Sequence, residues 1–169
     1  MGPSGAKRTL APLSTVDWLL ALHVTGAFFL VGGSVMAATL NVLALRSTVP
    51  SESAQLLRLI KTTVIVIGIG VVLTLVLGLW LVHRVGYSYG AFWVWAAIAL
   101  WVIVNALGGI GGRHQERARE LAERLAAEGD TPSDELRALL RDRRGNAMSY
   151  GAGLATLLIL VLMIWKPGA

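Results

Sequence analysis

The chain has 169 residues, of which 55% are hydrophobic and only 15% charged, and its mean hydropathy is +0.66; this balance excludes an ordinary water-soluble domain. With no cysteine in the sequence, disulfide frameworks, thiolate metal sites and cysteine nucleophiles drop out. The net charge of +5 is not a nucleic-acid footprint, which needs a clustered basic face: sixteen of the charged residues, eight Arg and eight Asp or Glu, lie between Arg113 and Arg144 and cancel.

Four apolar stretches follow in chain order. The first is Trp18–Leu45, with His23 as its only ionisable side chain; the second is Thr62–Val82, bounded by Lys61 and by His83-Arg84. The third is Phe92–Ile110 and the fourth Met148–Trp165. About 20 residues at ~1.5 Å each cross a hydrocarbon core of ~30 Å, and a helix satisfies its own backbone in lipid. The sequence therefore predicts an all-α membrane protein, a four-transmembrane-helix up-down bundle forming one integral domain over residues 1–169, with links at 46–61, 83–91 and 111–147.

The longest link is patterned as helix. Arg119/Glu123 and Glu120/Arg124 are opposite charges four apart, and Leu121 and Leu125 share a face. Gly129-Asp130 breaks the pattern; Thr131 then reads as a capping residue with Pro132 at the first helical position, and Leu136, Leu139 and Leu140 follow at helical spacing. Residues 113–145 thus read as a helical hairpin that extends the third and fourth spans, with His114 solvated at its start. Lys7, Arg8, Arg84 and Lys166 fall on the side of the termini, against eleven Lys and Arg on the other side. The positive-inside rule places the 46–61 and 111–147 links in the cytoplasm and both termini outside. Lys7-Arg8 ahead of an apolar run, with Ala37-Ala38 as a cleavage site, is the alternative leader-peptide reading.

On the first span His23, Gly26, Leu30, Gly33, Ala37 and Asn41 recur every three or four residues and mark one face. Gly70, Thr74 and Gly78 repeat small residues every four on the second span, so Gly26, Gly33, Ala37, Gly70, Thr74 and Gly78 read as close helix packing. Asn41 and Asn105 read as hydrogen bonds across the bundle. The pairs Gly108-Gly109 and Gly111-Gly112 mark a bend or a tight passage at the inner end of the third span. Trp18, Trp80, Trp93, Trp95 and Trp165 read as an interfacial aromatic belt.

His23 is an ionisable group inside a span and so a site candidate; a neutral imidazole with a local hydrogen bond is the structural alternative. By topology His83 and Met163 share its end of the bundle. Two imidazoles and a thioether suit haem iron or copper, although His83 stands at the water boundary and His23 about 9 Å deeper.

The segment Leu22-His23-Val24-Thr25-Gly26-Ala27, followed by Val31-Gly32-Gly33, resembles the opening of the DUF2269 family of predicted bacterial integral membrane proteins. The tail Leu162-Met163-Ile164-Trp165-Lys166-Pro167 is similar to the end of that family, and size and span count agree. A more distant similarity is to CopD copper-resistance membrane domains, with Phe28-Phe29 where those carry a tryptophan before the glycines. The resemblance implies fold and topology, in a bacterial inner membrane, and no particular chemistry; His23, Gly26, Gly32-Gly33, Met163, Lys166 and Pro167 are the positions that match.

Three functions fit these residues. The first is a non-catalytic accessory or assembly subunit, partnered by lipid and by other membrane subunits or by copies of itself. The second is a haem b or copper protein using His23 with His83 or Met163. The third is a small transporter or proton handler, for which the paired carboxylates and broken, repeated helices are lacking. Nothing resembles a phosphate loop, a dinucleotide fingerprint or a catalytic triad, so the reading leans away from an enzyme.

Overall fold

Ser14 starts the first helix with a capping box: its hydroxyl accepts from the Asp17 backbone N–H (3.2 Å), and the Asp17 carboxylate accepts from the Ser14 N–H (2.8 Å). In the computed structural model, which describes residues 14–167, this helix, α1, runs Thr15–Arg46. Lys7 and Arg8, and with them the n-region of the leader-peptide reading, lie outside the described residues.

Helix α2 spans Pro50–Val85, which corrects the expected 46–61 link. Only Ser47, Thr48 and Val49 separate the two helices. Polarity had marked 50–61 as a link, but proline at the first position and Glu52 in the first turn are helix-starting residues. Ala54, Leu57 and Ile60 then recur every three residues and are buried. Gly86 ends α2 in the left-handed region at φ 83°.

Helix α3 spans Phe92–Ala127 and continues unbroken past all four glycines at 108–112. The expected break at Gly129-Asp130 is present, with both residues at positive φ (125° and 54°). The helix after it, α4, covers Asp134–Leu140, and its cap is Ser133 rather than Thr131, with the Ser133 hydroxyl accepting from the Leu136 N–H at 3.4 Å. Helix α5 spans Arg143–Trp165, and the Asp142 carboxylate caps it by accepting from the Gly145 N–H at 2.9 Å.

Among the described residues four helices are long and apolar enough to cross a membrane. They pack up and down, α1 against α2 and α3 against α5; α2 also packs against α3, whereas α1 and α5 touch far less. Ser14, Gly86, Ala91 and Lys166 mark one end, the terminal face; the other is the hairpin face. In α3 the segment 92–112 has no ionisable side chain, and charge begins at Arg113.

The small residues of α1 and α2 meet as expected. A Cβ on Gly70 would stand 2.6 Å from the Leu30 nitrogen and 2.7 Å from the Gly26 carbonyl oxygen. Gly33 faces Ile67, whose Cγ1 would lie 2.7 Å from an added Cβ. Ala37 packs on the main core, which sits at the hairpin face and joins Leu40 and Ala44 of α1, Leu57 and Ile60 of α2, Leu121 of α3, and Leu136 and Leu140 of α4. That end is closed by polar contacts. Arg58 pairs with Glu123 (2.9 Å), Arg119 with Glu116 (2.6 Å) and Glu123 (2.7 Å), and Lys61 with Glu116 (3.4 Å).

His114 is not solvated. Its Nε2 lies 2.8 Å from the Leu139 carbonyl oxygen, and its ring packs on Gly145, so it ties α3 to α4 and α5. Asn41 does bond across the bundle, its Nδ2 donating to the Asn146 side-chain oxygen at 3.1 Å. Asn105 does not: it is exposed on the outside of α3 and donates to the Trp101 carbonyl of its own helix at 2.8 Å. An asparagine four residues from a carbonyl on the same helix satisfies itself without a neighbour, so its position alone did not reveal its facing.

Candidate functional site

Between the four long helices, in the half nearer the terminal face, lies a cavity of about 470 Å³. Its walls are mostly aliphatic, from α1 (Leu20, Leu30), α2 (Leu75, Leu79), α3 (Ala97, Ile98) and α5 (Ile159, Leu160). It exists because α1 and α5 pack so sparsely. Leu20 and Val24 on α1 and Ile164 on α5 line it and are also half or more exposed, so it opens between those helices on the lipid-facing side.

His23 reaches this cavity from α1. The absence of a side chain at Gly78 makes room for it: the imidazole Cε1 lies 2.9 Å, and Nδ1 3.3 Å, from where a Gly78 Cβ would stand. Nδ1 is buried without a hydrogen-bond partner. Leaving a buried polar atom unpaired is costly; this one is packed against α2, with no surface open to the cavity. Thr74 also lines the wall, but its hydroxyl donates to the Gly70 carbonyl at 2.7 Å and acts within α2.

Met163 lines the same cavity from the last turn of α5, packed beside Val82, Trp93 and Val94. His83 does not join them. It is exposed at the end of α2, stacked on Tyr89 at a centroid distance of 6.5 Å, and is not part of the cavity wall. The fold therefore brings His23 and Met163 to one space and leaves His83 outside it. His83 directly follows Val82 of the buried wall, but one step along a helix turns it by about 100°, the other way. Among the described residues no group of three or more His, Asp or Glu is placed to hold a metal ion.

Three wall residues were not singled out as site residues by the sequence. Trp93 is only 3% exposed, its Nε1–H is buried without a partner, and its ring meets Tyr87 edge-on at 5.6 Å. It is not a belt residue; Trp18, Trp80, Trp95 and Trp165 are the exposed tryptophans of this face. Lys166 donates to the Tyr87 hydroxyl at 3.4 Å and lies 4.9 Å from that ring's centroid. The signal available was modest: Trp93 follows the helix start by one residue, and Lys166 stands beside a motif proline. Trp101 donates to the Val71 carbonyl at 3.2 Å and fixes α3 against α2 at the cavity floor.

An apolar chamber between bundle helices is the ordinary form of a small-molecule site; this chain is an integral membrane protein with four candidate spans, and such a chamber lies between them. The chain belongs to the family described as "Predicted integral membrane protein (DUF2269)", whose sequence model matches residues 17–167. No match is found among curated proteins or among solved structures.

Proposed function

We propose that this protein binds a lipophilic ligand or cofactor inside the membrane, in the cavity at its terminal face, with His23 as the polar anchor. The observation that carries this reading is His23, an ionisable side chain of α1, lining about 470 Å³ of mostly apolar space inside the bundle, within the ~300–1,000 Å³ range of ligand pockets. Haem b is the cofactor this reading favours: the His23 imidazole and the Met163 thioether, which both line the cavity, would hold it, and these donor types suit haem iron. A bare copper ion would leave most of the chamber unfilled. By the Lys and Arg count the hairpin face is cytoplasmic, in a bacterial inner membrane, and the cavity lies toward the outside.

The test is direct. The full chain is purified in mild detergent, its visible spectrum and metal content are recorded, and haemin is titrated into wild type and His23→Ala. A Soret band that is present or develops in wild type and is lost in His23→Ala supports the reading; a folded, colourless protein that takes up no haemin removes the haem form. A reporter active only in the cytoplasm, fused after Ala169, stays silent if the orientation is right.

One observation favours a second reading, the accessory subunit. Among the described residues nothing stands where a side chain on the glycines at 108, 109 and 112 would go, and with the exposed Asn105 they share one face of α3, as a helix contact to another membrane protein would require. Gentle extraction that yields a defined complex, lost with Gly108→Leu, supports it; a monomer throughout counts against it.

A further inference from the structure

We propose that the ligand of this cavity is an anionic amphiphile, an apolar body bearing a carboxylate or phosphate, and that Lys166 receives its charged group at the mouth while the body enters between α1 and α5. This rests on the binding function proposed above and names the class of molecule bound.

Lys166 ends α5 in the left-handed region, φ 39°. Its ammonium does not extend away from the protein; it is held half-buried over Tyr87, at the rim of the cavity. Three N–H donors are available on an ammonium, and the one protein bond recorded is the long 3.4 Å contact to the Tyr87 hydroxyl. Among the described residues no carboxylate lies within 4 Å of Nζ. Asp17 is the acidic side chain of this face among them, and its Oδ2 already accepts from both the N–H and the hydroxyl of Ser14. A lysine so placed, beside an opening that faces lipid, selects for negative charge on a molecule that is otherwise apolar.

His23, about two turns into α1, is the deeper polar residue of the wall, so a ligand that meets both it and Lys166 has its charge at the outer end and a ligating or hydrogen-bonding group deeper. Two sources of this chemistry are a porphyrin with propionates and a long-chain acid.

The experiment uses the full chain in nanodiscs of zwitterionic lipid and two probe pairs: haemin with haemin dimethyl ester, and palmitate with methyl palmitate. Binding is followed by haem absorbance and by quenching of tryptophan fluorescence. The free acid of one pair is expected to bind about tenfold more tightly than its ester, with Lys166→Gln erasing the preference and Lys166→Arg keeping it; the pair that responds identifies the source. Equal binding of acid and ester in both pairs, or a preference untouched by Lys166→Gln, overturns this inference and leaves the binding function standing. Absence of saturable binding by all four probes overturns both.

Discussion

Asp130 accepts two hydrogen bonds from Ser51, one from its backbone N–H at 2.7 Å and one from its hydroxyl at 2.6 Å. Seventy-nine positions separate the two residues, yet the contact places a carboxylate from the hairpin tip on the first turn of α2, where the unpaired N–H groups of a helix favour negative charge. It fastens the two helix hairpins together at the face away from the cavity. Asp130→Ala removes both bonds and puts alanine at φ 54°, so a loss of about 2–3 kcal/mol is expected. Asp130→Asn keeps an acceptor and tolerates that backbone, and should lose about half as much. Thermal unfolding in detergent, followed by tryptophan fluorescence, measures both.

Glycines that look alike in sequence should behave in opposite ways. An added Cβ at Gly70 would collide with the backbone of Leu30 and Gly26, which cannot yield without separating α1 from α2. Gly70→Ala is expected to cost about 2–3 kcal/mol. Gly32 and Gly68 have open space where a Cβ would go; alanine there should be neutral or stabilise by up to about 1 kcal/mol through helix propensity. A Gly68→Ala variant as damaged as Gly70→Ala would refute the α1–α2 packing.

What the sequence disclosed divides along physical lines. Runs of apolar residues long enough for lipid announced the four spans, and small residues four apart announced the α1–α2 contact, because both are one-dimensional patterns. The start of α2 at Pro50 was hidden by polarity: Ser51, Glu52, Ser53 and Gln55 resemble a loop in composition, although the proline and the spacing of Ala54, Leu57 and Ile60 carried the helix signal. The cavity was not legible, since it arises from how little α1 and α5 touch, a property of two stretches more than a hundred residues apart. His23 and Met163 were candidates by residue type and did meet in one space; His83 was chosen because it shares their end of the bundle, and sharing an end does not fix the direction in which a side chain points.

The two asparagines make that distinction measurable. Asn41 is buried and bonded to Asn146 of α5, which itself donates to the Leu140 carbonyl at 3.0 Å. Asn41→Ala leaves the Asn146 oxygen without its donor and should cost about 1–2 kcal/mol. Asn105 bonds only within α3, so Asn105→Ala should shift monomer stability by no more than about 0.5 kcal/mol. Parallel melting curves decide.

The charged network at the hairpin face predicts acid sensitivity. Hydrogen bonding by Arg119, then the nearby Lys61, pushes the Glu116 carboxyl down to about 2. Glu123 is lowered as well, by hydrogen bonds from Arg58 and Arg119. Because the folded-state values lie below the ordinary glutamate value of about 4.3, the contribution is fully present above that value and is lost as pH falls from about 5 toward 2. Melting temperature should therefore decline through that window, less so in high salt, which screens exposed pairs. Arg119→Met should flatten the decline, and an unchanged slope would show that the network contributes nothing measurable.

Gly78 offers a way to disturb the cavity while sparing the fold. Its nearest neighbours are side-chain atoms of His23, with Cε1 at 2.9 Å from a would-be Cβ, so the imidazole can turn aside where a helix backbone could not. Gly78→Ala should keep the melting temperature within a few degrees, since the displaced ring borders empty space, while moving the imidazole from its place in the wall. If His23 anchors the ligand, haemin affinity should fall about five- to tenfold, the inverse of Gly70→Ala, which harms the bundle first. Titration of haemin into both variants beside their melting curves separates the two effects, and full affinity in Gly78→Ala would remove His23 from the site.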